Sequence, residues 1–430
     1  MNIFAERRKR FMSQLEDGVA VFFAAPIRKR NHDVDYEYRQ DSDFYYLTGF
    51  EEPESVCVLS PSNAVQNYTL FVLPRDKEKE TWTGIRNGIE GAVENFHADR
   101  AHGIKDLRDV LPQLLQNTRR LYYTFHKDPA ADQTILNTLE QLKTLNRLGI
   151  EAPAEIIDPS EIVSEMRLIK TEQDLEIIQH AIDISVKGHI AAMQAAAPGK
   201  FEYEIQAVLE YVFRSSGSAR NGYPSIVGSG PFTCILHYNS NNRKANDGDL
   251  LLVDAGAEFG YYTGDITRTY PVNGKFTAEQ KAVYEIVLET QKHAISKVKA
   301  GNSFIHVHET AVQYLTEGLI SLNLLKGSVE ENVENENYKK YFMHKTSHWL
   351  GMDVHDAGKY RKKGEWRILQ EGMILTVEPG IYISDEDAGA FKNIGIRIED
   401  DVLVTANGPK VLSMECPKEI SDLENLVGSV

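Results

Sequence analysis

The 430-residue chain has only three cysteines, Cys57, Cys234 and Cys416, far apart and odd in number. That excludes a disulfide framework and leaves no CxxC metal spacing. A reducing compartment is the simpler reading, so a cytoplasmic location is expected. Long apolar runs are missing too: the longest, from Val19 to Ile27, stops at Arg28, whereas a membrane span needs about 20 residues. The basic stretch Arg7-Arg8-Lys9-Arg10 has no apolar segment behind it, so no signal peptide and no membrane association are expected. The Asn67-Tyr68-Thr69 sequon then carries no weight. Glycine (30) and proline (15) are too scarce for a collagen-like or low-complexity chain. Positive charge is also short, with 47 Lys and Arg against 63 Asp and Glu and a net charge of −16. General nucleic-acid binding needs a basic footprint and is excluded. An acidic surface suits a protein that handles cations or positively charged termini.

What is present is a globular composition, 42% hydrophobic and 26% charged, long enough for two or three domains. Residues 19–25, 56–59 and 69–73 are short β-rich runs bounded by Pro26, Pro61 and Pro74, and 104–115 and 131–145 carry helical patterns. The alternation predicts an α/β domain. Near Asp158-Pro159-Ser160 the pattern breaks. Thr171-Glu172-Gln173-Asp174 then resembles a capping box with Asp at its fourth position. The boundary is placed between about 160 and 171, giving domains 1–165 and 166–430. Beyond it helices come first, at about 172–196, 202–216, 277–299 and 303–323. Strands cluster later, at 250–254, 261–270, 373–378, 394–399 and 402–405. That order predicts an α+β domain with helices on one side of a largely antiparallel sheet. The acidic, Asn-rich stretch 329–341 reads as a solvated loop. No internal repeat, P-loop or dinucleotide-binding glycine pattern is found.

The informative residues are polar ones where strands should be apolar. Leu250-Leu251-Leu252-Val253-Asp254 ends in a carboxylate, and Asp265 follows in Gly264-Asp265-Ile266-Thr267-Arg268. A hairpin turning at Phe259-Gly260 sets Asp254 opposite Asp265, with Cβ atoms about 4.5–5.5 Å apart. Facing carboxylates repel, and a multivalent cation removes the conflict. Two exposed hairpin aspartates are the plainer alternative. Glu378 closes an apolar strand that Pro379-Gly380 breaks. Further on, Ile394, Ile396 and Ile398 share one face while Gly395, Arg397 and Glu399 share the other; such charges can equally face solvent. His344, His348 and His355 crowd one segment of a chain with 13 histidines. Lys345 stands where HExxH needs its glutamate, so that motif is absent. His237, isolated after Ile235-Leu236, reads more readily as structural than functional from its local sequence.

Four strand-borne carboxylates and one imidazole suit Mn²⁺ or a related divalent ion better than thiolate-bound zinc. Charge counting favours two ions: one leaves two negative charges uncancelled, two ions with a hydroxide leave one. Asp254, Asp265, His348, Glu378 and Glu399 thus form a coherent dinuclear hydrolase set, able to make a nucleophile from water near neutral pH.

Asp254-Ala255-Gly256, Gly264-Asp265-Ile266-Thr267-Arg268-Thr269, Ser347-His348-Trp349-Leu350-Gly351, Val354-His355-Asp356, Thr376-Val377-Glu378-Pro379-Gly380 and Gly395-Ile396-Arg397-Ile398-Glu399-Asp400 together resemble the pita-bread metallopeptidases. More narrowly they are similar to the Xaa-Pro aminopeptidases (aminopeptidase P). The run from Tyr38 to Phe50 looks like that family's creatinase-type N-domain, and Met166-Arg167-Leu168-Ile169-Lys170 resembles its domain junction. The resemblance covers almost the whole chain, and methionine aminopeptidases generally lack the N-domain. It implies an α/β creatinase-type domain followed by an α+β pita-bread catalytic domain. It also implies two divalent metal ions per subunit, manganese being the family's usual ion, with Asp265 and Glu399 bridging. Asp254 would bind one metal, and His348 and Glu378 the other positions.

By the same resemblance His237 and His355 contact substrate or steady the tetrahedral intermediate, His344 lines the pocket, and Tyr382 and Arg397 belong to the substrate-binding set. Trp82 falls where related bacterial enzymes extend a loop from a neighbouring subunit, although an ordinary packed tryptophan reads equally well. The implied reaction releases the first residue of peptides with proline second. A bridging hydroxide attacks the Xaa-Pro carbonyl, and Glu378 passes the water's proton toward the proline nitrogen. A homodimer or homotetramer acting on peptides is the implied assembly. Prolidase, limited to Xaa-Pro dipeptides, shares all five ligands and is the alternative. A non-enzymatic binding protein on this fold, or a metal-free enzyme such as creatinase, would show altered metal positions, and none is altered.

Overall fold

The computed structural model describes residues 2–63, 65–384 and 386–429. The chain forms two compact units, Met1–Met166 and Arg167–Val430. Among the described residues no helix is long and apolar enough to cross a membrane.

The first unit is built on a six-stranded mixed sheet. Its strands are β1 (Gly18–Phe23), β2 (Val56–Leu59), β3 (Tyr68–Val72), β4 (Arg100–Gly103), β5 (Arg120–Tyr122) and β6 (Glu155–Ile157), in the order β4-β3-β2-β1-β5-β6. The central strands read as continuous apolar runs because both faces are covered. Val19, Val21, Val56 and Val58 pack against Leu111 and Leu115 of the helix Leu107–Leu115 and Ile135 and Leu142 of the helix Pro129–Thr144.

The second unit opens with helix α1 (Glu172–Ala195), whose capping box is real: Thr171 and Asp174 exchange side chain-to-backbone bonds. Asp serves because its carboxyl still reaches the Thr171 N–H, at 2.8 Å. Helices α2 (Glu202–Ser215), α3 (Ala278–Ile295) and α4 (Ile305–Ser321) follow. The strands are β7 (Ile226–Ser229), β8 (Leu250–Ala255), β9 (Ile266–Pro271), β10 (Ile374–Val377), β11 (Gly380–Ile383), β12 (Ile394–Arg397) and β13 (Asp400–Thr405). Their pairings β7·β8, β8·β9, β10·β13 and β11·β12 are all antiparallel. Leu375, Val377, Val402 and Val404 bury against Ala294 of α3 and Val307 and Ala311 of α4, so helices cover one side of the strands.

Three expectations change. Asp254 pairs with Thr267, not Asp265, because the turn centres on Gly260 and Tyr261, both at positive φ (+55° and +69°). The two-residue turn favoured in hairpins needs that geometry at both positions, and glycine takes the first. The register moves by two residues, which preserves the face each side chain occupies. The strand expected over 261–270 is interrupted at Gly264-Asp265. There Gly264 crosses so close to Gly256 that a Cβ on Gly256 would lie 1.7 Å from the Gly264 oxygen. Finally, 329–341 holds a short helix, Val329–Glu334, and a 3-10 turn, Asn337–Lys340. Ser328 caps the first, and buried Asn332 donates to Lys326 O and Ser328 O.

Candidate active site

Strand ends deliver the acids. Asp254 sits near the end of β8, Asp265 just before β9, Glu378 just after β10, and Glu399 between β12 and β13. His348 precedes Trp349, which bridges to Leu375 of β10. These five side chains line one cavity of about 250 Å³, together with His237, His344, His355 and Arg397. Asp265, His348 and Glu399 offer ligand atoms within 4.8 Å of one another. His348 Nε2 lies 3.2 Å from Asp265 Oδ2 and 3.8 Å from Glu378 Oε1. Its Nδ1 lies 3.0 Å from the Trp349 carbonyl, which can only accept, so Nε2 is the nitrogen turned to the acids.

The electrostatics are those of a crowded anionic site. Burial, then Asp265, Glu378 and Asp254, push the Glu399 carboxyl well above the usual range. Burial also raises Glu378, against the pull of His348 and Arg397. For His348 burial works downward, but Asp265 and Glu378 prevail and raise it to about 9. Arg397 is the one permanent cation among the described lining residues. It donates to Asp254 Oδ2 at 2.5 Å, to Tyr382 OH at 3.0 Å and, through Nε, to Thr267 Oγ1 at 3.1 Å. Its direct partner is thus Asp254, and Thr267 relays to Glu399 Oε2 at 2.7 Å. Four carboxylates against one guanidinium is an imbalance that divalent cations relieve, and oxygen donors with one imidazole are the right chemistry for them. The residues fit a metal centre.

The expected substrate residues divide. His237, His344 and His355 line the cavity, and buried Tyr382 stands behind it, its hydroxyl 2.8 Å from His344 Nε2. Burial and the Arg397 charge hold His344 down to about 3, so it is a neutral donor and acceptor. His355 is likewise lowered, by burial and His348. Trp82 is not among the lining residues; it belongs to the first unit, on the short helix Lys77–Thr83, 88% exposed.

Three residues escaped the sequence reading. Tyr223 donates toward both Asp254 Oδ1 (2.7 Å) and Asp265 Oδ1 (2.5 Å). Asp401 accepts from the Asp265 N–H at 3.1 Å. Thr267 touches Glu399. Only Thr267 was within reach of pattern reasoning, since it shares a strand face with Asp265.

Comparison with known proteins agrees with this geometry. Residues 176–406 match Metallopeptidase family M24, and residues 4–122 match the aminopeptidase P N-terminal domain. The Xaa-Pro aminopeptidase of Haemophilus influenzae is 43% identical across 99% of this chain and 96% of its own length. That of Escherichia coli is 41% identical across 99% and 97%. Aminopeptidase PepP of Pseudomonas aeruginosa superposes with a TM-score of 0.97 at 45% identity, covering 98% of this chain and 97% of that one. A zinc-substituted Escherichia coli aminopeptidase P in complex with product superposes at 0.95, with 40% identity over 99% and 97%. With an α/β domain of the aminopeptidase P type ahead of an α+β pita-bread unit, the chain belongs to metallopeptidase family M24.

Proposed function

We propose that this M24 enzyme is a metal-dependent aminopeptidase that releases the first residue of peptides carrying proline second. The observation that carries the reading is the convergence of Asp254, Asp265, His348, Glu378 and Glu399 on one cavity. Divalent ions, two Mn²⁺ by the charge balance and the oxygen-rich donor set, are the cofactor this reading requires, and Asp254, Asp265, His348, Glu378 and Glu399 are the residues that would hold them. Bound there, divalent ions would supply Lewis-acid activation of the scissile carbonyl and of water near neutral pH.

The chain's own groups do the rest. Glu378, its carboxyl raised by burial, accepts a proton and hands it to the leaving proline nitrogen. Arg397 and Tyr382 steady Asp254 through the bonds described above. His237 and His355 hydrogen-bond the peptide, and His344 completes that wall. Pro224, Ile226, Leu236 and Val354 give the cavity an apolar side. An imide nitrogen has no N–H to offer, so proline must be recognised by ring shape, which such a surface provides.

The names of the curated relatives favour the aminopeptidase over the dipeptidase reading. The free cysteines, two of them buried, support a cytoplasmic location. Family resemblance supports a homodimer or homotetramer, with Trp82 available to a neighbouring copy. The deciding experiment is metal analysis of the purified protein beside cleavage of Xaa-Pro-Yaa, Xaa-Pro and Xaa-Ala-Yaa peptides. Turnover of the tripeptide with proline second is expected. Turnover of the dipeptide alone would reassign the enzyme as a prolidase.

A further inference from the structure

Behind the acid-bearing strands lies a second polar cluster, and it faces away from the cavity. Arg268 follows Thr267 and Asp400 follows Glu399, so strand alternation turns their side chains to the opposite face. Both are fully buried. Arg268 Nη2 donates to Asp400 Oδ1 at 2.7 Å and to Cys416 O at 3.0 Å. Its Nη1 donates to the carbonyl oxygens of Thr267 (2.9 Å) and Glu399 (2.5 Å), and its Nε to Pro417 O at 3.0 Å. The other Asp400 oxygen accepts from Lys418 Nζ at 2.5 Å and from Gln291 Nε2 at 2.9 Å. Ser413 Oγ donates to Asp400 Oδ1 at 2.7 Å and accepts from Asp401 N at 3.1 Å. Gln291 Nε2 also reaches the Val377 carbonyl at 3.4 Å.

One cluster therefore grips the backbone at three places: two residues beyond Asp265, at Glu399 itself, and immediately before Glu378. These acids come from separate strands, and the planar guanidinium fork, with five donors in fixed directions, holds its partners at set spacing. Those three contacts are donated by Arg268 and Gln291, and residues 413–418, which take part in five of the ten hydrogen bonds described, lie beyond the end of the family match at residue 406.

We propose that Arg268, Asp400, Gln291 and Lys418 are positioning residues that fix the spacing of Asp265, Glu378 and Glu399, and that segment 413–418 is thereby a working part of the metal centre. The inference rests on the metal-centre reading above. Groups that orient metal ligands typically change metal affinity about 10- to 100-fold when removed. Lys418 is the member to remove, because its side chain is 18% exposed and its loss leaves the Arg268–Asp400 pair in place.

Mn²⁺ titration of the metal-stripped full-length protein, by calorimetry well below its melting temperature, tests this. Lys418→Met is expected to weaken Mn²⁺ binding by about tenfold or more, and Lys418→Arg to restore most of it. Leu423→Ala, an apolar truncation in the adjacent helix Ile420–Leu426, should lower the melting temperature and leave Mn²⁺ affinity alone. If Lys418→Met does not fold, Ser413→Ala is read in the same way. Wild-type affinity in the folded variant overturns the proposal, and so does an equal loss in Leu423→Ala, which would mean generic loosening. A wild-type protein that takes up no Mn²⁺ would instead remove the metal-centre reading, and this proposal with it.

Discussion

The Tyr223 hydroxyl lies within hydrogen-bond reach of both Asp254 and Asp265, so a single phenol spans the two aspartates of the hairpin. Burial and the neighbouring carboxylates hold that phenol protonated. It has one proton to give and two acids asking for it.

Tyr223→Phe should therefore destabilise the metal-stripped protein by about 1–3 kcal/mol, the cost of leaving a buried acceptor unpaired. The loaded protein gains less from the phenol, because its acids already face cations. Scanning calorimetry with and without Mn²⁺ checks this: the metal-induced rise in melting temperature should be larger in the variant than in wild type.

In the wild type, Mn²⁺ at about 100 times its dissociation constant should add about 2.7 kcal/mol of stability. A melting temperature indifferent to Mn²⁺ and to chelator would contradict binding at the five-residue centre.

Glu378→Gln keeps the side-chain shape and removes the proton acceptor. Turnover of an Xaa-Pro-Yaa peptide should fall at least about 100-fold, with an unchanged near-ultraviolet dichroism spectrum. Near-normal turnover would take Glu378 out of proton transfer.

Asp356 pairs with Arg167 at 2.6 Å and Lys170 at 3.0 Å, all three buried. Burial works to raise its carboxyl, but the two cations prevail and hold it below the usual range. A carboxyl depressed in the folded state contributes stability above its unfolded value of about 3.9 and loses it as pH falls through the folded one. Urea midpoints from pH 6 to pH 3 should thus drop less steeply in Asp356→Asn than in wild type, from a lower starting point.

Gly256→Ala places a methyl group on the Gly264 carbonyl. With backbone rather than a flexible side chain in the way, a loss of at least about 3 kcal/mol is expected, and Mn²⁺ binding should weaken with it. Thermal unfolding and titration of the same sample measure both.

Local pattern made much of this legible. Apolar strands ending in Asp254 and Glu378 announce themselves, as do the Thr171 cap and the four helices behind it. The turn did not: only the positive φ of Tyr261 moves the hairpin centre, and nothing in Phe259-Gly260-Tyr261 demands it. The short helix after Ser328 was hidden by its acidity, although Glu330 and Glu331 sit in its first turn, where negative charge is favourable. Tyr223 and Asp401 were out of reach because their partners lie at long range in the chain. Buried Arg268 reads as a surface charge until Asp400 is placed beside it.

Glu399 lines the cavity and Thr267 bonds to it, while their chain neighbours Arg268 and Asp400 face the opposite side. Adding or deleting one residue in either strand would exchange those duties, sending a guanidinium toward the acids of the cavity or one of those acids into the interior. Such segments cannot change in length, and drift in chain length must be confined to the connecting loops.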